Sequence, residues 1–165
     1  MKNPIQYKQI VDHGIRAAGC IILLLLICVC GWESHASADC ADIKITTKQQ
    51  VVSKGDTVYV MVTVTSTTAM SGFEGFFTYD NTVLQFQTGG SVVYGNDDAF
   101  QISDIDRSST ATKLKYSIKF KARKAGDTEI ALTGPYHVFG ESTSTKLSAS
   151  YNSLVLVVKD REKAT

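Results

Sequence analysis

The chain has 165 residues, 44% of them hydrophobic, with 17 Lys+Arg against 16 Asp+Glu and a formal charge of +1. So even a balance argues against nucleic acid as a partner, because that affinity is built on neutralising phosphates. Three of the four cysteines fall within residues 20–30, which leaves no disulfide framework for a stapled mini-fold.

The chain opens with Lys2, Lys8 and Arg16, followed by 15 apolar or small residues, Ala17 to Gly31, and then Ala36-Ser37-Ala38 before Asp39. A basic start, a short apolar block and small residues at −3 and −1 predict a secretory signal peptide over 1–38, used by the Sec pathway. The apolar run is short of the ~20 residues that span hydrocarbon comfortably. The alternative is an uncleaved signal anchor, which would be the chain's only tie to a membrane. Cleavage removes Lys2, Lys8, Arg16, Asp12 and Glu33, leaving 14 basic and 14 acidic side chains and a net charge of zero. It also removes Trp32, His13, His35 and every cysteine but Cys40. Cys40 then has no internal partner; it either pairs between molecules or has no role.

From residue 39 on, the sequence reads as one all-β domain. Candidate strands are 42–47, 57–64, 72–79, 83–87, 100–105, 113–122, 128–132 and 153–158. "TVYVMVTV" (57–64) sets four valines on one face, and "KLKYSIKFKA" (113–122) alternates Leu114, Tyr116, Ile118 and Phe120 with lysines and a serine. Period two over such lengths marks strands with one buried and one wet face. Turns are expected at 53–56, 66–72, 88–90, 94–97, 124–127, 133–135 and 140–145, where Gly and Asx residues cluster. No segment carries a helical stripe. Short strands without intervening helices predict a two-sheet, jelly-roll-like β-sandwich of about eight or nine strands over 39–158. A charged tail, 159–165, follows.

"SGFEGFFTYDNTVLQF" (71–86) holds five aromatic rings and two acids. Burying Glu74 and Thr78 unpaired would be costly, so Phe73, Gly75, Phe77 and Tyr79 should face the core. Asp80-Asn81 should close an Asx-type turn, after which Leu84 and Phe86 drop inward. Phe76 then stands on the wet face with Glu74.

These residues also carry a resemblance. "FTYDNTVLQF" resembles the "F-x-Y-D-x-x-x-L-x-F" segment of bacterial cohesin domains, the sandwich modules of cellulosome scaffoldins. "GDTVYVMV" is similar to that family's early "G-D-x-V-x-V-x-V" strand, "AGDTEI" resembles its "A-G-x-x-x-I" segment, and a final "LVLVV" strand closes the domain. The likeness spans roughly 42–158. It implies a nine-stranded sandwich related to carbohydrate-binding modules, with one sheet that receives a dockerin, a small calcium-loaded partner. Carried onto this sequence, it places Gly72, Glu74, Phe76 and Thr78 on the partner-binding sheet, Glu74 as an acidic contact. Gly72 departs from the family in standing where a polar contact residue is common. The stretch between Tyr94 and Lys113 is also short, with room for one good strand where two are usual.

Other chemistry is thinly represented. Asp97, Asp98, Asp104 and Asp106 cluster within 96–106, but their spacing matches no calcium loop, and an acidic surface loop is the preferred reading. His137 is the one histidine left for any nucleophile–base arrangement, and no catalytic, phosphate-loop or zinc motif accompanies it. The expectation is a non-catalytic protein with no cofactor or metal. Lys113, Lys115, Lys119 and Lys121 form a row that either attracts an acidic surface or polymer or keeps the strand wet against edge pairing.

Three functions remain open: a secreted or cell-surface module that binds a dockerin or other surface protein in a polysaccharide-degrading assembly; a carbohydrate binder stacking sugars on Tyr94, Tyr136 or Tyr151; and a structural envelope or adhesin domain without a dockerin partner.

Overall fold

The computed structural model describes residues 40–105 and 109–161. The predicted leader, Asp106 and the end of the tail lie outside the described residues. Every regular element among them is a strand: β1 (Cys40–Thr47), β2 (Val51–Ser53), β3 (Thr57–Met70), β4 (Gly72–Thr78), β5 (Leu84–Thr88), β6 (Val93–Gly95), β7 (Ala99–Asp104), β8 (Ala111–Ala122), β9 (Gly126–Phe139), β10 (Lys146–Tyr151) and β11 (Leu154–Lys159).

They form two layers. One runs β5-β8-β3-β1-β10, the other β6-β7-β4-β9, with β11 beside the first half of β9 and β2 beside β11. The layers meet at one corner, where β10 pairs in parallel with β1 and antiparallel with the end of β9. This is a jelly-roll-like sandwich, as the strand spacing predicts.

The alternation decides which face each strand buries. Val58, Val60, Val62 and Val64 of β3 are buried, as are Leu114, Tyr116, Ile118 and Phe120 of β8. Fully enclosing a side chain of this size stabilises by about 1.5–3 kcal/mol. On β4, Phe73 and Phe77 have no exposed surface. Rings hold the layers together: Phe77 stacks on Phe100 at 4.8 Å, and Phe100 meets Phe120 of the opposite sheet at 5.9 Å. Tyr79 packs edge-on against Phe120 at 5.0 Å, and its hydroxyl donates to the Asn96 carbonyl oxygen. The 80–82 turn has the expected form, with Thr82 N donating to Asp80 Oδ1 at 2.8 Å.

Several expectations need correction. Among the described residues there are eleven strands, because β2, β6 and β10 are short or polar and carry little periodicity. Residues 66–70 are the end of β3, not a turn; the register against β8 shifts between Thr65 and Met70, so the strand bends without stopping. Residues 133–135 are a bulge within β9. Between Tyr94 and Lys113 β7 is the one complete strand, as expected, while the three-residue β6 begins just before it at Val93. Asp104 is no loop acid: it is buried and accepts a hydrogen bond from the Tyr116 hydroxyl at 2.9 Å. β11 continues to Lys159, and beyond it Arg161 pairs with Asp56 at 2.9 Å, so the tail begins bound to the domain.

Candidate binding face

The site follows from the pleat of β4. With Phe73, Gly75 and Phe77 inward, Glu74, Phe76 and Thr78 must point out. β7 lies on one side of β4 and β9 on the other, and the register assembles three rows across the sheet. In the central row Tyr94 of β6 lies beside Gln101 of β7, and Gln101 beside Phe76. In the next, Ser103 faces Glu74, and Glu74 faces His137. In the third, Ala99 faces Thr78, and Thr78 faces Ala131.

Gln101 Nε2 donates to Glu74 Oε1 at 3.1 Å, which fixes the carboxylate beside Phe76 while leaving its second oxygen without a protein partner among the described residues. Phe76 is 38% exposed and Tyr94 61%. Both line a shallow depression of about 200 Å³ with Asn96, Ala99 and Gln101. Opposite Phe76, β9 spends three residues, Thr133-Gly134-Pro135, where β4 spends one. Proline has no N–H to give the ladder, and a bulge tolerates that loss. A Cβ on Gly134 would come within 2.9 Å of the Phe76 Cβ, so the glycine is what lets the ring lie there.

His137 stands on the far side of Glu74. Its ring is 5.9 Å from that of Phe139, and its Nε2 lies 3.3 Å from Lys146 Nζ, a contact in which the ammonium donates when that nitrogen carries no proton. The order Ser103–Glu74–His137 sets the acid between the hydroxyl and the imidazole. Base-activated nucleophiles need the imidazole in the middle. Among the described residues no group of three His, Cys, Asp or Glu side chains is arranged to hold a metal ion. Asp97 and Asp98 sit at the β6–β7 turn, whereas Asp104 ends β7 inside the sandwich.

The residues singled out from sequence divide as follows. Glu74, Phe76 and Thr78 share the outer face, and Tyr94 joins Phe76 on it. Gly72 is buried under the end of β7: a Cβ there would lie 2.3 Å from the Asp104 carbonyl oxygen, so this position offers the face no side chain. Tyr136 and Tyr151 are elsewhere and pack on each other at 5.6 Å. Tyr136 is half-buried with its hydroxyl donating to the Ala149 carbonyl oxygen, while Tyr151 is exposed. Gln101, Gly134 and His137 as members of the face are new. The signal for Gly134 was present in "TGP", which looks like a turn because Gly and Pro punctuate bulges as well. Cys40 is a free, exposed thiol.

The architecture thus defines a β-sandwich with one sheet face open and furnished with an acid, a histidine and two aromatic rings. No protein-family model matches the chain, and no curated protein does. Solved structures do. The sixth cohesin of scaffoldin B from Acetivibrio cellulolyticus, solved with a dockerin, is 20% identical with a TM-score of 0.57, covering 72% of this chain and 99% of that one. A non-cellulosomal cohesin from the archaeon Archaeoglobus fulgidus is 12% identical at 0.56, covering 72% and 91%. A type I cohesin from Clostridium thermocellum, also in complex with a dockerin, is 13% identical at 0.55, covering 78% and 99%. The fold of this chain is that of a cohesin domain.

Proposed function

We propose that this protein is an exported, non-catalytic recognition module that uses the outer face of β9-β4-β7-β6 to bind a dockerin or another cell-surface protein. The observation that carries the reading is the grouping of Glu74, Phe76, Tyr94 and Gln101 on one face, with the acid tethered and the rings exposed. A few anchored aromatic contacts with a polar surround are what a protein interface concentrates its energy in. The leader read from the sequence supports action outside the cell, and the dockerin complexes of similar folds support the partner class.

The test is capture of dockerin-bearing proteins by the purified protein, wild type against the Glu74→Lys/Phe76→Ala pair. Loss of a central aromatic anchor and reversal of its neighbouring charge should weaken capture by about a hundredfold or more. Equal capture by both would remove this face from the function. Tyr94 supports a second reading, sugar stacking in the depression beside Phe76; retention on insoluble neutral polysaccharide, lost in Tyr94→Ala, would favour it over the first.

A further inference from the structure

The opposite side of the sandwich has a different character. Lys113, Lys115, Lys119 and Lys121 leave β8 on its outer face, and Lys44 leaves β1 on the same side. Successive outward residues of a strand are ~7 Å apart, so the row on β8 spans ~27 Å. On the strands of this sheet Asp42 is the sole acid at an outward position, and it is engaged by Lys44 at 3.0 Å. None of the four β8 ammonium groups has a carboxylate within ion-pair distance among the described residues; Lys121 helps to lower the pKa of Asp56, but that acid is paired with Arg161.

Protection against edge pairing accounts for only half of the row. β8 lies between β5 and β3, and β5 pairs with its 119–122 segment. Lys119 and Lys121 are therefore flanked on both sides, and only the 113–117 half borders an open edge. A row of like charges along one strand creates a positive field that favours an anionic partner laid over it.

A ring and a cleft adjoin the charges. Tyr59 of β3, 57% exposed, is the cross-strand neighbour of Lys119. It also walls a cleft of about 370 Å³ with Thr47, Lys48, Gln49, Val52 and Thr57. We propose that this face binds a linear acidic polysaccharide, its carboxylates or other anionic substituents following the lysine row and one sugar ring lying on Tyr59 at the cleft. The row is long and narrow, which fits a chain laid along a strand. An anionic membrane would be met by a broad patch with several apolar side chains to insert; among the described residues Tyr59 is the exposed ring beside the lysines, while Tyr151 at the end of β10 packs on Tyr136. The site is separate from the protein-recognition face and stands whether or not a dockerin binds there.

The experiment is affinity electrophoresis of the purified protein in gels containing polygalacturonate, its fully methyl-esterified form, or neither. Wild type is expected to be retarded by the polyacid and not by the ester, with the effect falling steeply between about 50 and about 300 mM salt, as counterion release requires. Lys115→Gln/Lys119→Gln should weaken binding by about tenfold and flatten the salt dependence, whereas Lys115→Arg/Lys119→Arg should keep both. Tyr59→Ala should weaken binding several-fold, roughly to the extent of one lost stacking contact, with the salt slope unchanged. Glu74→Lys/Phe76→Ala should bind polygalacturonate as wild type does. Equal retardation by acid and ester, or by wild type and the glutamine pair, overturns the proposal. So does tighter binding to phosphatidylglycerol vesicles or to oligothymidylate than to polygalacturonate.

Discussion

Gly75 shows how tightly single residues set the recognition face. It points inward from β4 between Phe73 and Leu132, and a Cβ there would lie 2.6 Å from the Phe73 Cζ and 3.2 Å from the Leu132 Cδ1. Phe73 cannot swing aside, because its ring already meets Phe77 at 6.4 Å and Tyr116 at 5.9 Å and has no exposed surface. Adding one methyl to a filled core forces strain of about 1–3 kcal/mol. Gly75→Ala should therefore lower the urea midpoint by a corresponding amount while leaving the outward residues unaltered in identity. A variant as stable as wild type would mean that the core under Glu74 and Phe76 is slack, and that nothing rigid backs the face.

At the level of elements, the bulge in β9 couples fold to site. Three residues stand opposite one beside Phe76, and Gly134 keeps the space next to the ring clear. Gly134→Val should displace the ring and weaken partner capture by about tenfold, since hot-spot energy depends on tight local packing; thermal unfolding should shift by far less than for Gly75→Ala, because the bulge lies outside the core. Unchanged capture would show that Phe76 binds without this support. The same bulge marks the limit of what the sequence discloses. β3, β4 and β8 are legible because a long period-two pattern is a direct record of which side chains enter the core. β2 and β6 are three residues each, too short for a period, and "KLSASY" of β10 offers only Leu147 and a half-buried Ala149 to the interior. Glu74, Phe76 and Thr78 could be set on one face from alternation alone. Gln101 and His137 could not, because which residues stand beside Glu74 is fixed by strand register, and register arises from pairings far apart in sequence.

Across the whole molecule, three carboxylates fasten the corners of the sandwich, and they set how it responds to acid. Asp42 is held below its ordinary value of 3.8 mainly by Lys44, with Ser150 of β10 adding a hydrogen bond across the corner where the layers meet. Asp56 is lowered first by the Ser53 backbone N–H that it caps and then by Arg161, which ties the chain's end to the β2–β3 turn. Asp80 is lowered by the Thr82 side chain and backbone in the β4–β5 turn. A group whose folded pKa is depressed contributes stability above its unfolded value and loses it as pH falls through the folded one. The unfolded chain therefore binds more protons in this window, and the urea midpoint should be level from about pH 7 to pH 5 and decline below about pH 4. All three groups lie near solvent, so each contribution is small and weakened by salt. The decline should accordingly be shallower at high ionic strength, and shallower again in Asp42→Asn/Asp56→Asn/Asp80→Asn, which has no such carboxylates to protonate. A triple variant with the same acid slope as wild type would show that these three carboxylates do not set the response to acid.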